Sequence, residues 1–402
     1  MSRGYRRPTR IWFQTTGMIE VKICHVIGDS QFGGGSKIVG RLAECAKTEG
    51  WDVSVLTTNP AFSGVLKEAG INVIDLDCIW RDINPYRDLQ GLKKLTDFFR
   101  ANHFDLVHTH TSKAGFVGRR AAYKADVRAI IHTVHGFSFH EHSGRLPLVV
   151  YSNLEKLAAG WCDRIVTVSN FHKQWALELG IGSPGKVLAI PNGIPDVVPV
   201  SNSQRREIRR GLGLASEEFV ILSAGRLAKQ KGLEDLIEAA VILRDLGEFA
   251  FRILLPGEGP LETVLADKIR MLGLGDQVEL LGFRSDIAEL LIGSDCVALA
   301  SIREGLSISL LEAMSAGKPI VATSISSNLE ASSEGAAAQI IPCSDPQALA
   351  GMIIRFASEP RLREDFGLRA RKVFLERYTS ERMLGSYMDL YRDVIKEKTP
   401  GS

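Results

Sequence analysis

Residues 191–199 read Pro-Asn-Gly-Ile-Pro-Asp-Val-Val-Pro, and this stretch separates two series of short apolar segments. Proline fixes φ and lacks a backbone N–H, so three prolines in nine residues are unfavourable inside a helix or strand and typical of a linker. The chain has 402 residues, which is too long for one ordinary hydrophobic core. The sequence therefore predicts two domains that are joined at this stretch.

Predicted strands lie on both sides of the linker, and helical patterns separate most of them. They cover residues 21–27, 52–57, 72–76, 106–110, 129–134, 164–168 and 186–190, then 219–223, 251–255, 277–281, 296–300 and 319–323. Strands rich in Val and Ile that alternate with helices are typical of a parallel sheet with helices on both faces. We predict an α/β fold with two doubly wound, Rossmann-like domains that face a central cleft, where ligands bind in such folds.

The predicted domains have the following bounds. An N-terminal domain covers residues 18–195, a C-terminal domain covers 196–378, and a helix over 379–402 could cross back to the first domain. Residues 1–17 contain four arginines but lack the apolar segment of a secretory signal. We interpret them as a disordered tail or as extra residues from an upstream translation start. No apolar segment is long enough to predict a membrane-spanning helix.

The sequence contains weak signals for metal sites and disulfides. Its six cysteines are scattered and form no CxxC motif, which favours reduced thiols in a cytoplasmic protein. An Asp-Leu-Asp string at 75–77 could hold a divalent metal beside a diphosphate, but no third ligand is apparent nearby. We therefore predict neither a metal site nor a disulfide framework.

The charge is nearly balanced over the whole chain but not over its halves. Lys plus Arg number 49 and Asp plus Glu 47, which argues against a nucleic-acid partner held by global charge. Residues 1–200 carry a net charge of +6 and all nine histidines, whereas residues 201–402 carry −4. Seven basic residues of the first half could contact an anionic membrane surface, or they could be ordinary solvated residues on helix faces, and both interpretations stay open. These residues are Lys93, Lys94, Arg100, Arg119, Arg120, Lys124 and Arg128.

Two loops at predicted strand ends have the composition of anion-binding loops. Three glycines at 33–35 precede a helical pattern, and a glycine run before a helix N-terminus lets the backbone approach a phosphate. The spacing differs from a dinucleotide fingerprint, and a flexible turn stays an open alternative. Arg226 and Lys231 follow the strand over 219–223, where a guanidinium can grip a phosphate bidentately and a lysine can add charge.

The segment 304–313 reads Glu-Gly-Leu-Ser-Ile-Ser-Leu-Leu-Glu-Ala and contains two carboxylates. Glu304 follows a predicted strand, and Glu312 lies eight residues later, so both carboxylates can face one side of the chain. Free N–H groups at the helix start would bind a phosphate, and Glu312 could accept hydrogen bonds from two ribose hydroxyls. The alternative for Glu312, a surface position, is disfavoured by its apolar neighbours.

Histidines close two neighbouring predicted strands. His108 and His110 end one strand, and His132 and His135 end the next. Because the carboxyl ends of parallel strands meet at one edge of a sheet, we interpret three of these histidines, His108, His110 and one of the second pair, as a polar wall of the cleft. One imidazole from the second pair is expected to face the ligand.

These residues together resemble the retaining glycosyltransferases of family 4, which have the GT-B fold. The resemblance covers nearly the whole chain from Met18, and its most specific element is the pair Glu304 and Glu312. Segments at 108–115 and 132–137 are similar to bacterial members that build surface polysaccharides. Three further segments of the second half support the resemblance: 224–227, 256–259 and 281–284.

The resemblance implies a role for each candidate residue. Arg226 and Lys231 would neutralise the donor diphosphate, and Glu312 would hold the nucleotide ribose. Glu304 and His135 would contact the transferred sugar. The remaining donor-binding residues would act mainly through their backbone: Gly33, Gly34, Gly35, Gly257, Phe283, Arg284, Gly305, Leu306 and Ser307.

The resemblance also implies the reaction. A sugar would move from a nucleotide-diphosphate donor to a glycan or lipid-linked sugar in surface polysaccharide biosynthesis, with retention of its anomeric configuration. The donor would be a UDP-sugar in preference to a GDP-sugar. No metal or other cofactor would be required, because the two cations and the helix start at Gly305 would stabilise the leaving nucleotide. The protein would be cytoplasmic and could lie on the inner face of the cell membrane. A nucleotide-sugar epimerase, or another GT-B enzyme without a glycan acceptor, stays as the alternative.

Overall fold

A computed structural model of the chain describes residues 21–28, 33–80, 82, 84–139 and 144–399. The predicted tail over residues 1–17 lies outside the described residues. Two parallel sheets organise the described residues, one on each side of the proline-containing linker. The prediction of an α/β fold with two Rossmann-like domains is confirmed.

The first sheet has seven strands in the order β3-β2-β1-β4-β5-β6-β7. All neighbouring strands in it are parallel. The chain order reverses between β1 and β4, and such a reversal opens a crevice at the carboxyl ends of these two strands. The strands are β1 (Lys22–Gly28), β2 (Asp52–Thr57), β3 (Asn72–Ile74), β4 (Leu106–His110), β5 (Ala129–Val134), β6 (Arg164–Thr167) and β7 (Val187–Ala189).

Six helices connect these strands. Asn59, Asn84 and Ser169 each accept a hydrogen bond from a backbone N–H three residues later, which caps three of the helices. Two of these capped helices also have proline in the first turn, where its missing N–H costs no hydrogen bond. The helices are α1 (Gly34–Thr48), α2 (Pro60–Glu68), α3 (Pro85–Asn102), α4 (Ser112–Lys124), α5 (Arg145–Ala159) and α6 (Asn170–Glu178).

The second sheet has six parallel strands in the order β10-β9-β8-β11-β12-β13. Its strands are β8 (Phe219–Leu222), β9 (Phe251–Pro256), β10 (Val278–Gly282), β11 (Cys296–Leu299), β12 (Ile320–Thr323) and β13 (Gln339–Ile341). A 3₁₀ turn spans Lys229–Lys231. The helices of this part are α7 (Asn202–Gly211), α8 (Leu233–Leu246), α9 (Glu262–Met271), α10 (Ile287–Gly293), α11 (Ile308–Ser315), α12 (Ser326–Ala331), α13 (Pro346–Ser358) and α14 (Pro360–Arg377).

The last helix, α15 (Ser380–Glu397), packs against the first sheet although it follows the second sheet in sequence. Its side chains Met383, Tyr387 and Tyr391 are buried in the same core as Ile23 of β1. The linker contacts the chain just before α15 returns to the first domain, because the N–H of Ile194 donates to the carbonyl oxygen of Tyr378 over 3.0 Å. The exact bounds of the two domains, at residues 195 and 378, stay predictions.

Candidate active site

The two sheets present their strand ends to each other at a narrow contact. A methyl group added to Gly305 would lie 2.0 Å from the carbonyl oxygen of His135, and one added to Gly34 would lie 2.8 Å from Cγ1 of Ile308. Only glycine allows approaches this close. The glycines at 33–35, the loop after β5 and the start of α11 therefore meet at one place between the domains.

Lys231 and Glu304 form an ion pair on the second-domain side of this place. The Nζ of Lys231 lies 2.5 Å from Oε1 of Glu304, and the hydroxyl of Ser301 donates to the same oxygen over 3.0 Å. Both charged side chains are mostly buried. Gly225 and Arg226 line a small pocket with Lys231 and Ser301. Arg226 is exposed at the rim, so the pocket offers two cations to an anionic ligand.

Glu312 lies on α11 and interacts with cations from both domains. Burial raises the pKa of its carboxyl, whereas Lys37 and Arg41 of α1, together with Lys231, act to lower that pKa. Burial lowers the pKa of Arg41, and Glu312 opposes this effect. The carboxylate thus lies where α1 and α11 approach each other, beside the ion pair of Lys231.

The start of α11 is fixed by two serines. Ser307 caps the helix by accepting a hydrogen bond from the N–H of Leu310, and the hydroxyl of Ser309 donates to the carbonyl oxygen of Ala224 over 2.7 Å. The second bond joins the helix start to the loop that carries Arg226. The partly positive N–H groups at the helix start therefore lie close to the loop that carries the two cations.

The histidines differ from the predicted arrangement. His108, His110 and His132 are buried in the first domain, so the prediction of a polar cleft wall is wrong for His108 and His110. Strand positions alternate between the two faces of a sheet that helices cover on both sides, and burial follows from this. His135 alone of the four is partly exposed, and its ring lies against Gly35.

His135 is neutral at physiological pH. Burial lowers the pKa of its imidazole to about 4. Its Nε2 lies 3.2 Å from Nδ1 of His110, and its Nδ1 has no hydrogen-bond partner among the described residues. The ring can therefore give or take a hydrogen bond at the cleft but does not supply a positive charge there.

The remaining candidates directly follow the carboxyl ends of β9 and β10. The N–H of Gly257 donates to the carbonyl oxygen of Gly282, and a methyl group at Gly257 would lie 1.8 Å from the carbonyl oxygen of Gly225. The backbone at Gly257 therefore packs directly against the loop that carries Arg226. Phe283 is 61% exposed, and the guanidinium of Arg284 pairs with Asp286. The roles of all these residues stay predictions.

Several residues of the site were not found from the sequence. Lys37 and Arg41 lie four residues apart on α1 and act on Glu312, and Ser301 orients Glu304. The i, i+4 spacing of the two cations next to the glycine run was the available signal. A serine that bonds a nearby glutamate has no distinctive sequence pattern.

Family models match both halves of the chain. Residues 32–198 match the model described as Glycosyltransferase Family 4, and residues 204–373 match the model described as glycosyl transferases group 1. The chain belongs to glycosyltransferase family 4. This family 4 glycosyltransferase is an enzyme with the GT-B fold, as the resemblance implied.

Curated relatives of this glycosyltransferase span most of its length. It is 29% identical over 314 residues to the UDP-Gal:alpha-D-GlcNAc-diphosphoundecaprenol alpha-1,3-galactosyltransferase of Escherichia coli, covering 77% of this chain and 81% of the relative. It is 25% identical over 354 residues to the N,N'-diacetylbacillosaminyl-diphospho-undecaprenol alpha-1,3-N-acetylgalactosaminyltransferase of Campylobacter jejuni, covering 86% and 92%.

Solved structures share the fold of this glycosyltransferase. Anabaena Alr3699/HepE in complex with UDP-glucose superposes with a TM-score of 0.80 at 23% identity, covering 92% of this chain and 99% of that one. WaaG, a glycosyltransferase involved in lipopolysaccharide biosynthesis, superposes with a TM-score of 0.74 at 16% identity, covering 95% and 100%. Both comparisons support the two-domain architecture.

Proposed function

We propose that this glycosyltransferase moves a sugar from a UDP-sugar to a lipid-linked glycan with retention of configuration. The proposal is supported by Arg226 and Lys231, which line one pocket of the second domain, and by the start of α11, which the Ser309 hydroxyl joins to Ala224 of the same pocket. A nucleotide diphosphate leaves with negative charge, and these groups provide positive charge at one place. A UDP-sugar is favoured over a GDP-sugar, because the E. coli relative is named for UDP-Gal and HepE binds UDP-glucose.

Each side chain has a separate task in the proposed reaction. Arg226 and Lys231 stabilise the leaving diphosphate, and the N–H groups of residues 305–307 assist them. Glu312 accepts hydrogen bonds from the ribose hydroxyls, and the backbone near Phe283 meets the base. Because protein cations and a helix start supply the positive charge, the proposed reaction requires no metal.

The stereochemistry follows from where the carboxylates lie. Glu304 is already engaged by Lys231 and Ser301, which makes it a contact for the donor sugar rather than a covalent nucleophile. The acceptor hydroxyl then attacks from the face that the diphosphate leaves. The C1–O bond to the phosphate breaks, the new C1–O bond forms on the same face, and the departing phosphate oxygen takes the proton of the hydroxyl.

The proposed acceptor is a sugar on a polyprenol diphosphate. The E. coli and C. jejuni relatives are both named for undecaprenol-linked acceptors. A polyprenol chain lies in a membrane, so the enzyme has to work at a membrane surface. In the described part of the chain, no helix combines the length and apolar character needed to cross a bilayer.

The acceptor can be tested directly with the purified full chain. We expect release of UDP when a UDP-sugar and a polyprenol-diphosphate-linked N-acetylglucosamine are both present, and little release from the donor alone. A panel of UDP- and GDP-sugars, followed by nucleotide release and product mass, identifies the donor. Conversion of a donor into an isomer without any acceptor would instead favour an epimerase.

The basic residues considered for membrane contact are not all exposed, although Lys93, Arg100 and Lys124 line one surface pocket. Arg119 is 0% exposed and pairs with Glu155, so it cannot contact a membrane. Arg128 is half-buried and donates to the carbonyl oxygen of Ile395. These two residues are structural, and both interpretations, contact with a membrane and a solvated helix face, are wrong for Arg119.

An exposed apolar stripe on α5 is the better candidate for membrane contact. Its side chains recur at helical spacing and are between 41% and 75% exposed: Leu146, Val149, Val150, Leu154 and Leu157. The exposed cations Arg145 and Lys156 lie on the same helix. Apolar residues flanked by cations fit the interface of an anionic bilayer, so we propose that α5 lies on the membrane that holds the acceptor.

Vesicle binding tests this surface. We expect the double variant Leu146→Gln/Leu157→Gln to bind phosphatidylglycerol-containing vesicles at least about tenfold more weakly in co-sedimentation, because it removes apolar area from the contact. Leu368→Gln/Leu375→Gln is the matched control, since those leucines are similarly exposed on α14 of the second domain. Equal loss in the control, or no binding of the wild-type chain to anionic vesicles, would refute the surface.

A further inference from the structure

Three histidines form a hydrogen-bonded line behind the cleft. Nδ1 of His25 on β1 lies 3.1 Å from Nε2 of His110 at the end of β4, and Nδ1 of His110 lies 3.2 Å from Nε2 of His135. The strand pairing produces this line, because β1 and β4 are neighbours with His25 opposite His108. His25 and His110 are fully buried, and His135 is partly exposed at the cleft.

All three rings are neutral. Burial lowers the pKa of His25 to about 3 and that of His135 to about 4. Burial and the neighbouring imidazoles keep the pKa of His110 well below its usual value. A neutral imidazole has one N–H and one bare nitrogen, so its two nitrogens play opposite roles.

Two nitrogen-to-nitrogen hydrogen bonds through neutral rings allow only two arrangements. Either all N–H groups point from His25 toward His135, or all point from His135 toward His25. In the first arrangement His135 carries its hydrogen on Nδ1. In the second, His25 carries a hydrogen on Nε2, and that atom has no hydrogen-bond partner among the described residues.

The two ends of the line differ in what surrounds them. His25 is 0% exposed, so a hydrogen on its Nε2 would stay unpaired in the core, and buried unpaired N–H groups are rarer than unpaired acceptors. Nδ1 of His135 is also buried and without a partner among the described residues, but its ring lies against Gly35 and its carbonyl oxygen against Gly305, at the contact where the proposed substrates meet. Of the two ends, this one borders the proposed substrate cleft, so a hydrogen on Nδ1 of His135 is the one that a bound sugar oxygen can accept.

We propose that His110 and His25 are positioning residues that hold His135 as the Nδ1–H tautomer, so that it donates a hydrogen bond to a hydroxyl oxygen of the transferred sugar. This inference rests on the proposed function of the site. It goes beyond it by assigning a role to two buried histidines that touch no substrate, and by fixing which nitrogen of His135 carries the hydrogen.

A metal site would be the competing use of these rings. Ligand atoms of His25, His108 and His110 lie within 4.8 Å of one another. Both nitrogens of His108 already have partners, at 2.7 Å to the hydroxyl of Tyr391 and 2.8 Å to that of Thr133, and both nitrogens of His110 have partners as well. Binding a metal would break these hydrogen bonds, which favours the positioning role.

Nitrogen NMR of the ¹⁵N-histidine-labelled full chain measures the tautomer without any substrate. Two-bond ¹H–¹⁵N spectra distinguish Nδ1–H from Nε2–H rings, and a His135→Asn spectrum assigns the signals of His135. We expect the Nδ1–H form in the wild-type protein. Finding His135 as Nε2–H, or one equivalent of zinc in the purified protein, would overturn the proposal.

Two variants of His110 test whether the tautomer of His135 affects turnover. We expect His110→Phe to lose the fixed tautomer and to lower kcat about tenfold, with a smaller change in donor KM, because one hydrogen bond to the reacting sugar is weakened. His110→Gln keeps one donor and one acceptor and should retain both the tautomer and most of kcat. Unchanged tautomer and kcat in His110→Phe would contradict the role.

The outcomes separate this inference from the proposed function. Absence of sugar transfer by the wild-type protein would refute the proposed function but leave the tautomer measurement intact. Normal transfer with the wrong tautomer would refute only the inference. If His110→Phe does not fold by circular dichroism, the wild-type tautomer and the His110→Gln variant decide the question.

Discussion

Replacement of Lys231 by alanine is expected to lower the turnover of sugar transfer by a factor of about 10² or more, the size typical of a lost contact to developing charge. Lys231 contacts Glu304 over 2.5 Å and lines the pocket beside Arg226. In the proposed reaction, its positive charge lies beside the leaving diphosphate. Because the charge develops in the transition state, kcat should fall more than the affinity for the donor.

The design of this experiment uses the neighbouring lysine as a control. Lys229 lies in the same 3₁₀ turn, is exposed and forms no ion pair within the described residues, so Lys229→Ala should keep near-wild-type kcat. Arg226→Ala should behave like Lys231→Ala. Combining Lys231→Ala with Glu304→Gln shows how much of the loss comes from leaving that carboxylate without its cation. Near-wild-type turnover of either single cation variant would refute the leaving-group role.

Replacement of Arg119 by methionine is expected to destabilise the first domain by about 3–5 kcal/mol, the usual effect of removing one partner of a buried ion pair. Arg119 is 0% exposed, and its Nη2 lies 2.7 Å from Oε2 of Glu155. Its Nε donates to the carbonyl oxygen of Gly115 over 2.8 Å. The variant leaves the mostly buried carboxylate of Glu155 without its partner.

Urea unfolding followed by tryptophan fluorescence measures this effect in one domain. All five tryptophans lie before residue 200, so the signal reports the first domain. Arg120→Met, the adjacent position on α4, should change the free energy of unfolding by about 1 kcal/mol or less. The double variant Arg119→Met/Glu155→Leu should recover part of the stability, because an apolar pair replaces the charges. A loss below about 1 kcal/mol in Arg119→Met would contradict a structural role for this ion pair.

The strands could be predicted from the sequence because they are short, apolar and rich in β-branched residues. The predicted bounds of β2, β4 and β5 agree with the structure. Strand β13 was missed, since its three residues follow a run of alanines that has no strand preference. Local patterns are therefore sufficient for the other strands, including the equally short edge strands β3 and β7, but not for β13.

The candidate site was only partly predictable. The spacing of Glu304 and Glu312 and the cations after β8 are local patterns, and the structure brings Glu304 and Lys231 together. The burial of His108 depends on Tyr391, which is 283 residues away on α15, and no local pattern predicts that contact. Arg119 was misread for the same reason, because its partner Glu155 lies on another helix.

The anomeric configuration of the transferred sugar tests the central claim most directly. The enzyme is incubated with the UDP-α-sugar that supports transfer and with the polyprenol-diphosphate-linked acceptor. The H1–H2 coupling in the proton NMR spectrum of the product then distinguishes the two anomers. The proposed retaining reaction predicts an α-linked product that forms only when the acceptor is present. A β-linked product, or an isomerised donor that forms without acceptor, would contradict it.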